Sequence, residues 1–166
     1  YQRRVRGGIN AEYGEKSIEM IHFLLCQNKF GRLRIAKYYS RYTVEERTKI
    51  EKEVNRIITT RTQKQTNFVE YRNLKLVYRR YAGLYFSICC DVDDNELAMM
   101  EAIHLFVESM QQFFGTVCEL NLIFDFNKVH LILDQIILAG QMQETSINSI
   151  LSAMKQVNHF EQQETM

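Results

Sequence analysis

The run "KLVYRRYAGLYFSICC", residues 75–90, constrains the fold most. Two stretches rich in Val, Tyr, Leu, Phe and Ile are separated at Gly83, the one residue there whose backbone reverses freely. They predict two antiparallel strands joined at "RYAG". The first strand ends in a double positive charge, Arg79–Arg80, where a buried strand has least use for one.

The flanking sequence extends this hairpin into a sheet. "MIHFLLCQN" predicts a strand over 21–27, and "NKFG" with Gly31 predicts a turn. In the next strand, over 32–41, Leu33, Ile35 and Tyr39 alternate with Arg32, Arg34 and Tyr38, the period of a sheet with unlike faces. "TVEE" from Thr43 is a capping box opening a helix whose apolar stripe is Ile50, Val54, Ile57 and Ile58. "TNFVEYR" then adds a strand before the hairpin. Asp93 and Glu96 form a D-x-x-E cap for a long helix stopped at Gly115. A further helical region is stopped at Gly140, and a last helix runs over 146–159. No proline occurs, so glycines and caps alone punctuate the chain. The expected fold class is α+β: a five-stranded antiparallel meander flanked by helices on both faces. A length of 166 residues suits one domain. Its expected extent is 20–160, with a flexible N-terminal extension over 1–19 and a C-terminal tail over 161–166.

Charge and composition exclude several classes. Twenty-one Lys and Arg against 20 Asp and Glu leave a formal charge of +1, unlike a dedicated nucleic-acid binder. Cys26, Cys89, Cys90 and Cys118 all lie in apolar stretches without C-x-x-C spacing, and Cys89 and Cys90 point to opposite faces, which suits a reducing compartment. No apolar run reaches the ~20 residues that span a bilayer, so the expectation is a soluble, cytosolic chain. No catalytic motif is present, so no enzyme and no cofactor are expected. No metal site is expected either: "DVDDNEL" begins like a calcium loop but has Glu96 where glycine is required. His104 and His130 sit within apolar helical stretches as interior or rim residues, and His22 and His159 have no ligand spacing.

Two features remain. The helix over 97–114 and the segment 120–138 carry more apolar surface than one face needs, which suits either a generously packed core or, the preferred reading, a subunit docked on a larger partner. Lys29, Arg32, Arg34, Lys37 and Arg41 cluster in the first hairpin, and Arg72, Lys75, Arg79 and Arg80 in the second. Such arginines are either solvated strand edges that resist aggregation or donors for a carboxylate or phosphate.

The blocks "MIHFLLCQN", "GRLRIAKYY", "TNFVEYRNLKLVYRRYAGLYF", "DDNELAMMEAIHLFVE", "VCELNLIFDFNKVHLILD" and "LAGQMQETS" resemble, in order, the small (sigma) subunits of clathrin adaptor complexes. "TNFVEYR" and "YRRYAGLYF" are most similar to the plasma-membrane, endocytic type; the trans-Golgi and endosomal type ranks second. The resemblance implies a longin-like fold in a heterotetramer. The partners implied are an obligate large adaptor subunit, a medium and a second large subunit, and, indirectly, the clathrin coat. The implied location is the cytoplasmic face of the plasma membrane, in coated pits.

The resemblance further implies binding of acidic dileucine signals, [D/E]-x-x-x-L-[L/I], in the cytosolic tails of membrane cargo. Arg34 matches the position that contacts the acidic residue. Ala82, Leu84, Val107, Val117, Leu120 and Leu122 match the leucine pocket, with Thr116 at its rim and Arg80 and Tyr81 flanking it. The endocytic type usually has asparagine at Thr116, so the polar rim contact departs from the pattern. A subunit that only braces the complex without reading cargo is the alternative function.

Overall fold

The computed structural model describes residues 20–166, so the expected extension over 1–19 lies outside the described residues. The elements are β1 (Ile21–Asn28), β2 (Leu33–Tyr38), α1 (Val44–Thr60), β3 (Phe68–Tyr71), β4 (Leu74–Tyr81), β5 (Leu84–Cys90) and α2 (Glu96–Phe114). After them come α3 (Glu119–Phe124), α4 (Phe126–Ile136), the two-residue strands β6 (Ile137–Leu138) and β7 (Gln141–Met142), and α5 (Ile147–Glu164).

The main sheet has five antiparallel strands, as expected, but in the order β2-β1-β5-β4-β3. It is therefore not a sequential meander. Burial explains the order. All of β5 except Tyr85 is buried, and all of β1 except His22. Strands apolar on both sides must take the centre, while half-buried β2 and largely exposed β3 take the edges. The 17-residue α1 carries the chain from one edge to the other. At about 25 Å, it is long enough to cross five strands spaced roughly 4.8 Å apart.

Each face of the sheet has its own core. Phe23, Leu25, Leu76 and Cys89 pack under Ile50, Val54 and Ile58 of α1. Leu24, Cys26, Val77, Phe86 and Ile88 pack under Ile103, Phe106 and Met110 of α2, with Val129 and Ile132 of α4 and Ile150 and Met154 of α5. Cys89 and Cys90 divide between the two cores, as strand alternation requires. All four thiols are free. Burial pushes the Cys90 thiol up to about 12 and also raises Cys26 and Cys89, so these three are inert packing groups.

Local signals were met in part. The α1 capping box forms as expected: Thr43 Oγ1 accepts from Glu46 N at 3.2 Å, and Thr43 N donates to Glu46 Oε2 at 2.8 Å. At α2 the cap is Asn95, whose Oδ1 accepts from Leu97 N at 2.9 Å, rather than Asp93. Its neighbour Asp94 instead accepts from the backbone of Asp91 and Met20. Ala82 and Gly83 both take positive φ, 49° and 79°, and make the two-residue turn between β4 and β5. Gly140 does not stop a helix. With Ala139 it turns β6 into β7, and a Cβ there would meet Ile21 O at 2.8 Å. The last helix continues to Glu164 from its Ser146 cap, so 161–164 are helical where a tail was expected.

Candidate functional site

Strand pairing gathers most of the expected site residues at one end of the sheet. Asn28, the last residue of β1, pairs with Leu84, the first of β5, which also pairs with Tyr81 at the end of β4. Gln27 pairs with Leu33, next to Arg34 in β2. Above this end, α2 stops at Gly115 and the chain turns through Thr116, Val117 and Cys118 into α3.

There Leu84, Val107 and Leu122 belong to one core, with Val117 and Tyr81 packed against it. The three are at most 5% exposed, so admitting a leucine side chain requires a covering side chain to move. Thr116 and Leu120 are exposed, and Ala82 is exposed at the turn. The Tyr81 ring meets Phe86 edge-on at 6.1 Å. Arg80 departs from expectation: it stacks at 5.4 Å on Tyr85, which packs with the α1-side core, so it lies on the other face of the sheet from Val107.

Arg34 is not free. Its Nε donates to Glu119 Oε1 at 2.6 Å, and Asn28 Nδ2 donates to the same oxygen at 2.9 Å. These two donors hold the Glu119 carboxyl below the usual carboxylate range. Asn28 Oδ1 in turn accepts from the backbone of Phe30 and Arg32, so the β1–β2 turn, Arg34 and the start of α3 form one network. Sequence inspection missed Glu119 because nothing local marks a partner 85 residues away.

Three other cations of the sheet and its turns are paired likewise. Lys37 pairs with Asp134 at 3.1 Å, Arg72 with Glu53 at 2.8 Å and Lys75 with Glu96 at 2.8 Å. Glu53 and Glu96 are lowered by hydrogen bonds, chiefly from Tyr71 and from Lys75 respectively. Among the described residues, Arg79 and Arg80 have no carboxylate partner; they stack on Tyr81 and Tyr85.

The apolar excess is also resolved. α2 buries Met99, Ala102, Ile103, Phe106, Val107 and Met110 in the chain's own core, and of its large apolar side chains only Leu97 is strongly exposed. The unburied surface lies on α3 and α4, where Leu120, Ile123, Phe124, Phe126 and Leu131 are 41–77% exposed, and on α5 at Phe160. Among the described residues no cluster of His, Cys, Asp or Glu is arranged to hold a metal ion. No described helix is long and apolar enough to cross a membrane. His104 pairs with Glu108, His130 lies against Phe126, and His22 bridges Ser40 and Asp91.

The described residues thus form a two-cored sheet domain with exposed aromatic side chains on α3 and α4 and cations at one end of the sheet. The chain belongs to the clathrin adaptor complex small chain family, whose profile matches residues 20–161, and is thus a sigma-type adaptor subunit rather than an enzyme. It is 51% identical over 143 residues to the AP-2 complex subunit sigma of Neurospora crassa, covering 86% of this chain and all of that one. It is 51% identical to the protein of the same name in Dictyostelium discoideum, over 82% of this chain and 96% of that one. The AP-1 complex subunit sigma-1 of Arabidopsis thaliana is 47% identical, over 83% and 88%. In a homology model of the full-length AP-3 complex in a stretched open conformation, one chain aligns with TM-score 0.68 at 27% identity. That alignment covers 88% of this chain and 98% of that one, in keeping with the longin-like α+β fold.

Proposed function

We propose that this chain is the small subunit of an endocytic, plasma-membrane adaptor complex, and that the Arg34 end of its sheet receives acidic dileucine signals of membrane cargo. Identities of about 50% to AP-2 sigma subunits of fungi and Dictyostelium support the endocytic type. The exposed face of α3 and α4 supports an obligate contact with a large adaptor subunit, because a permanent interface resembles a core cut in half. Membership of the complex then supplies the medium and second large subunits, the link to the clathrin coat and the place on coated pits.

The observation that carries the cargo reading is the adjacency of a guanidinium to an apolar cluster. Arg34 already holds a carboxylate, that of Glu119, one residue before Leu120 and three before Leu122. A signal that brings an acidic residue and two leucines meets the same chemistry. Burying two leucine side chains contributes roughly 3–6 kcal/mol, and a partly exposed ion pair adds about 1 kcal/mol or less. Ordering the peptide offsets much of this. The result is a weak binder whose useful capture depends on many tails and adaptors gathered on one membrane.

The bracing-only reading also has an observation behind it: Leu84, Val107 and Leu122 are covered by the chain's own side chains. The experiment that separates them uses the chain assembled with its large subunit and a labelled acidic dileucine peptide, with a dialanine peptide as control. Arg34→Glu is expected to abolish dileucine-selective binding while the assembly remains intact. Dileucine and dialanine peptides binding alike to the unaltered complex would leave bracing as the function. The 47% identity to a plant AP-1 sigma subunit keeps the trans-Golgi and endosomal type as the second reading of location. The identity of the large chain that co-purifies decides it.

A further inference from the structure

On the α1 face of the sheet, away from the Val107 cluster, the end of α1, the loop after it and the β4–β5 hairpin enclose a cleft of about 270 Å³. Its lining includes Arg61, Asn67, Tyr78, Arg79, Arg80 and Tyr85, and no carboxylate. The Arg79 guanidinium stacks on Tyr81, on the other face, which leaves Arg61 and Arg80 as the charges that serve the cleft. We propose that this cleft is an anion site for a phosphate monoester, carried either on a soluble inositol phosphate or on the same headgroup in a lipid. The proposal does not depend on dileucine binding.

Both guanidinium groups are already oriented. Arg61 Nε donates to the Tyr78 hydroxyl at 2.8 Å and its Nη2 to Thr66 O at 2.9 Å. Tyr78 in turn donates to the same Thr66 oxygen at 3.3 Å. These acceptors are neutral, so they fix the side chain without cancelling its charge. The Nη1 edge has no hydrogen-bond partner among the described residues. Arg80 is held by its stack on Tyr85, its cross-strand partner, and stacking leaves the planar rim of donors open. Two positive groups in a concave site repel each other unless an anion lies between them, and a dianion with several acceptor oxygens is the partner that two forked donors satisfy best.

The rest of the sheet shows that this is a departure. Arg34, Lys37, Arg72 and Lys75 each have an acid of the chain within 3.1 Å. Of the strand cations, Arg34, Lys37 and Lys75 are neutralised within the chain, whereas Arg80, like Arg79, has no carboxylate partner among the described residues, and neither does Arg61 at the end of α1. Solvated edge charges do not need a tyrosine hydroxyl and a backbone carbonyl to hold one of them in place.

The test is a titration of the full chain, assembled with its large subunit, with inositol hexakisphosphate in one arm. In the other arm, vesicles containing phosphatidylinositol bisphosphate are compared with phosphatidylserine vesicles of equal charge. Arg61→Gln combined with Arg80→Gln is expected to weaken binding at least tenfold, whereas Lys49→Gln with Lys52→Gln, an equal charge loss on exposed α1, changes it less than twofold. Arg80→Glu alone, at an exposed side chain with no hydrogen bond to lose, gives the same answer if the double variant fails to fold. A loss in the soluble arm alone assigns a free ligand, and a loss in the vesicle arm alone assigns a lipid. Equal losses in the Arg and Lys variants, or no variant-dependent loss in either arm, overturn the site. The second outcome includes the case in which carboxylates of the large subunit fill the cleft.

Discussion

Two regions of one sheet handle positive charge in opposite ways. At the Arg34 end, the cation meets Glu119 at 2.6 Å, and that pair sits beside a core whose Leu84, Val107 and Leu122 are almost wholly buried. At the Arg61–Arg80 cleft, the guanidiniums meet aromatic rings, a hydroxyl and a carbonyl, with no acid in the lining. The first arrangement ties an edge strand to α3 and presets the geometry for an acidic group. The second holds donors in place without discharging them. A cation's neighbours, rather than its number in the sequence, decide what a ligand must displace to reach it.

The sharpest way to break this contrast is to remove the packing under the first region. Leu122→Ala hollows the site beneath α3 and is expected to cost roughly 2–5 kcal/mol, read as a melting-temperature drop on the order of 10 °C. A drop confined to a degree or two would mean that α3 is not anchored by this core, and that the Arg34 end is as loosely built as the cleft.

A smaller effect tests the ion pair itself. Arg34 and Asn28 stabilise the Glu119 carboxylate, so the folded chain binds its proton less readily than the unfolded chain does. The stability from this group is therefore complete above the ordinary carboxylate range and is lost as pH falls through the lowered folded value. Glu119→Gln removes that dependence. The difference in melting temperature between the parent and this variant should shrink steadily on acidification from about pH 7 to about pH 3. A difference that stays constant would remove the charge-based account of the pair. The same variant frees Arg34, and in the assembled complex it should strengthen acidic-peptide binding if Glu119 competes for that guanidinium.

The smallest effect belongs to the second region. Arg79→Gln with Arg80→Gln is expected to leave chain stability within about 0.5 kcal/mol of the parent, because neither side chain has an ion pair among the described residues to lose. A large destabilisation in thermal melts would place these arginines in the fold and erase the distinction between the two regions.

Much of this was legible in the residues. The Gly83 hairpin, the Thr43–Glu46 capping box and the α2 stop at Gly115 all depend on neighbours within a few positions, and each forms where the local pattern puts it. The α2 cap was misplaced by two residues because "DVDDN" offers several side chains able to cap, and hydrogen bonds from Met20 and Asp91 claim Asp94. Gly140 was misread because a glycine after an apolar run marks a helix end and a hairpin turn equally well. The strand β6 is too short to announce itself. Arg34 stood out through its family resemblance, but its Glu119 partner did not. Likewise Arg79 and Arg80 read as one basic pair, although strand alternation sends them to opposite faces.

The sequence by itself determined most of the elements, the α+β class and the family, because propensity, period and capping are short-range properties that the chain carries wherever it folds. Only the tertiary structure decided that β1 lies between β2 and β5, that Glu119 reaches Arg34, and that Arg61 and Arg80 share a cleft without an acid. Those outcomes depend on which apolar strands must be covered on both sides and on which charges then come within a few ångströms of one another. Such distances are set by packing across dozens of residues, and no local window of the chain contains them.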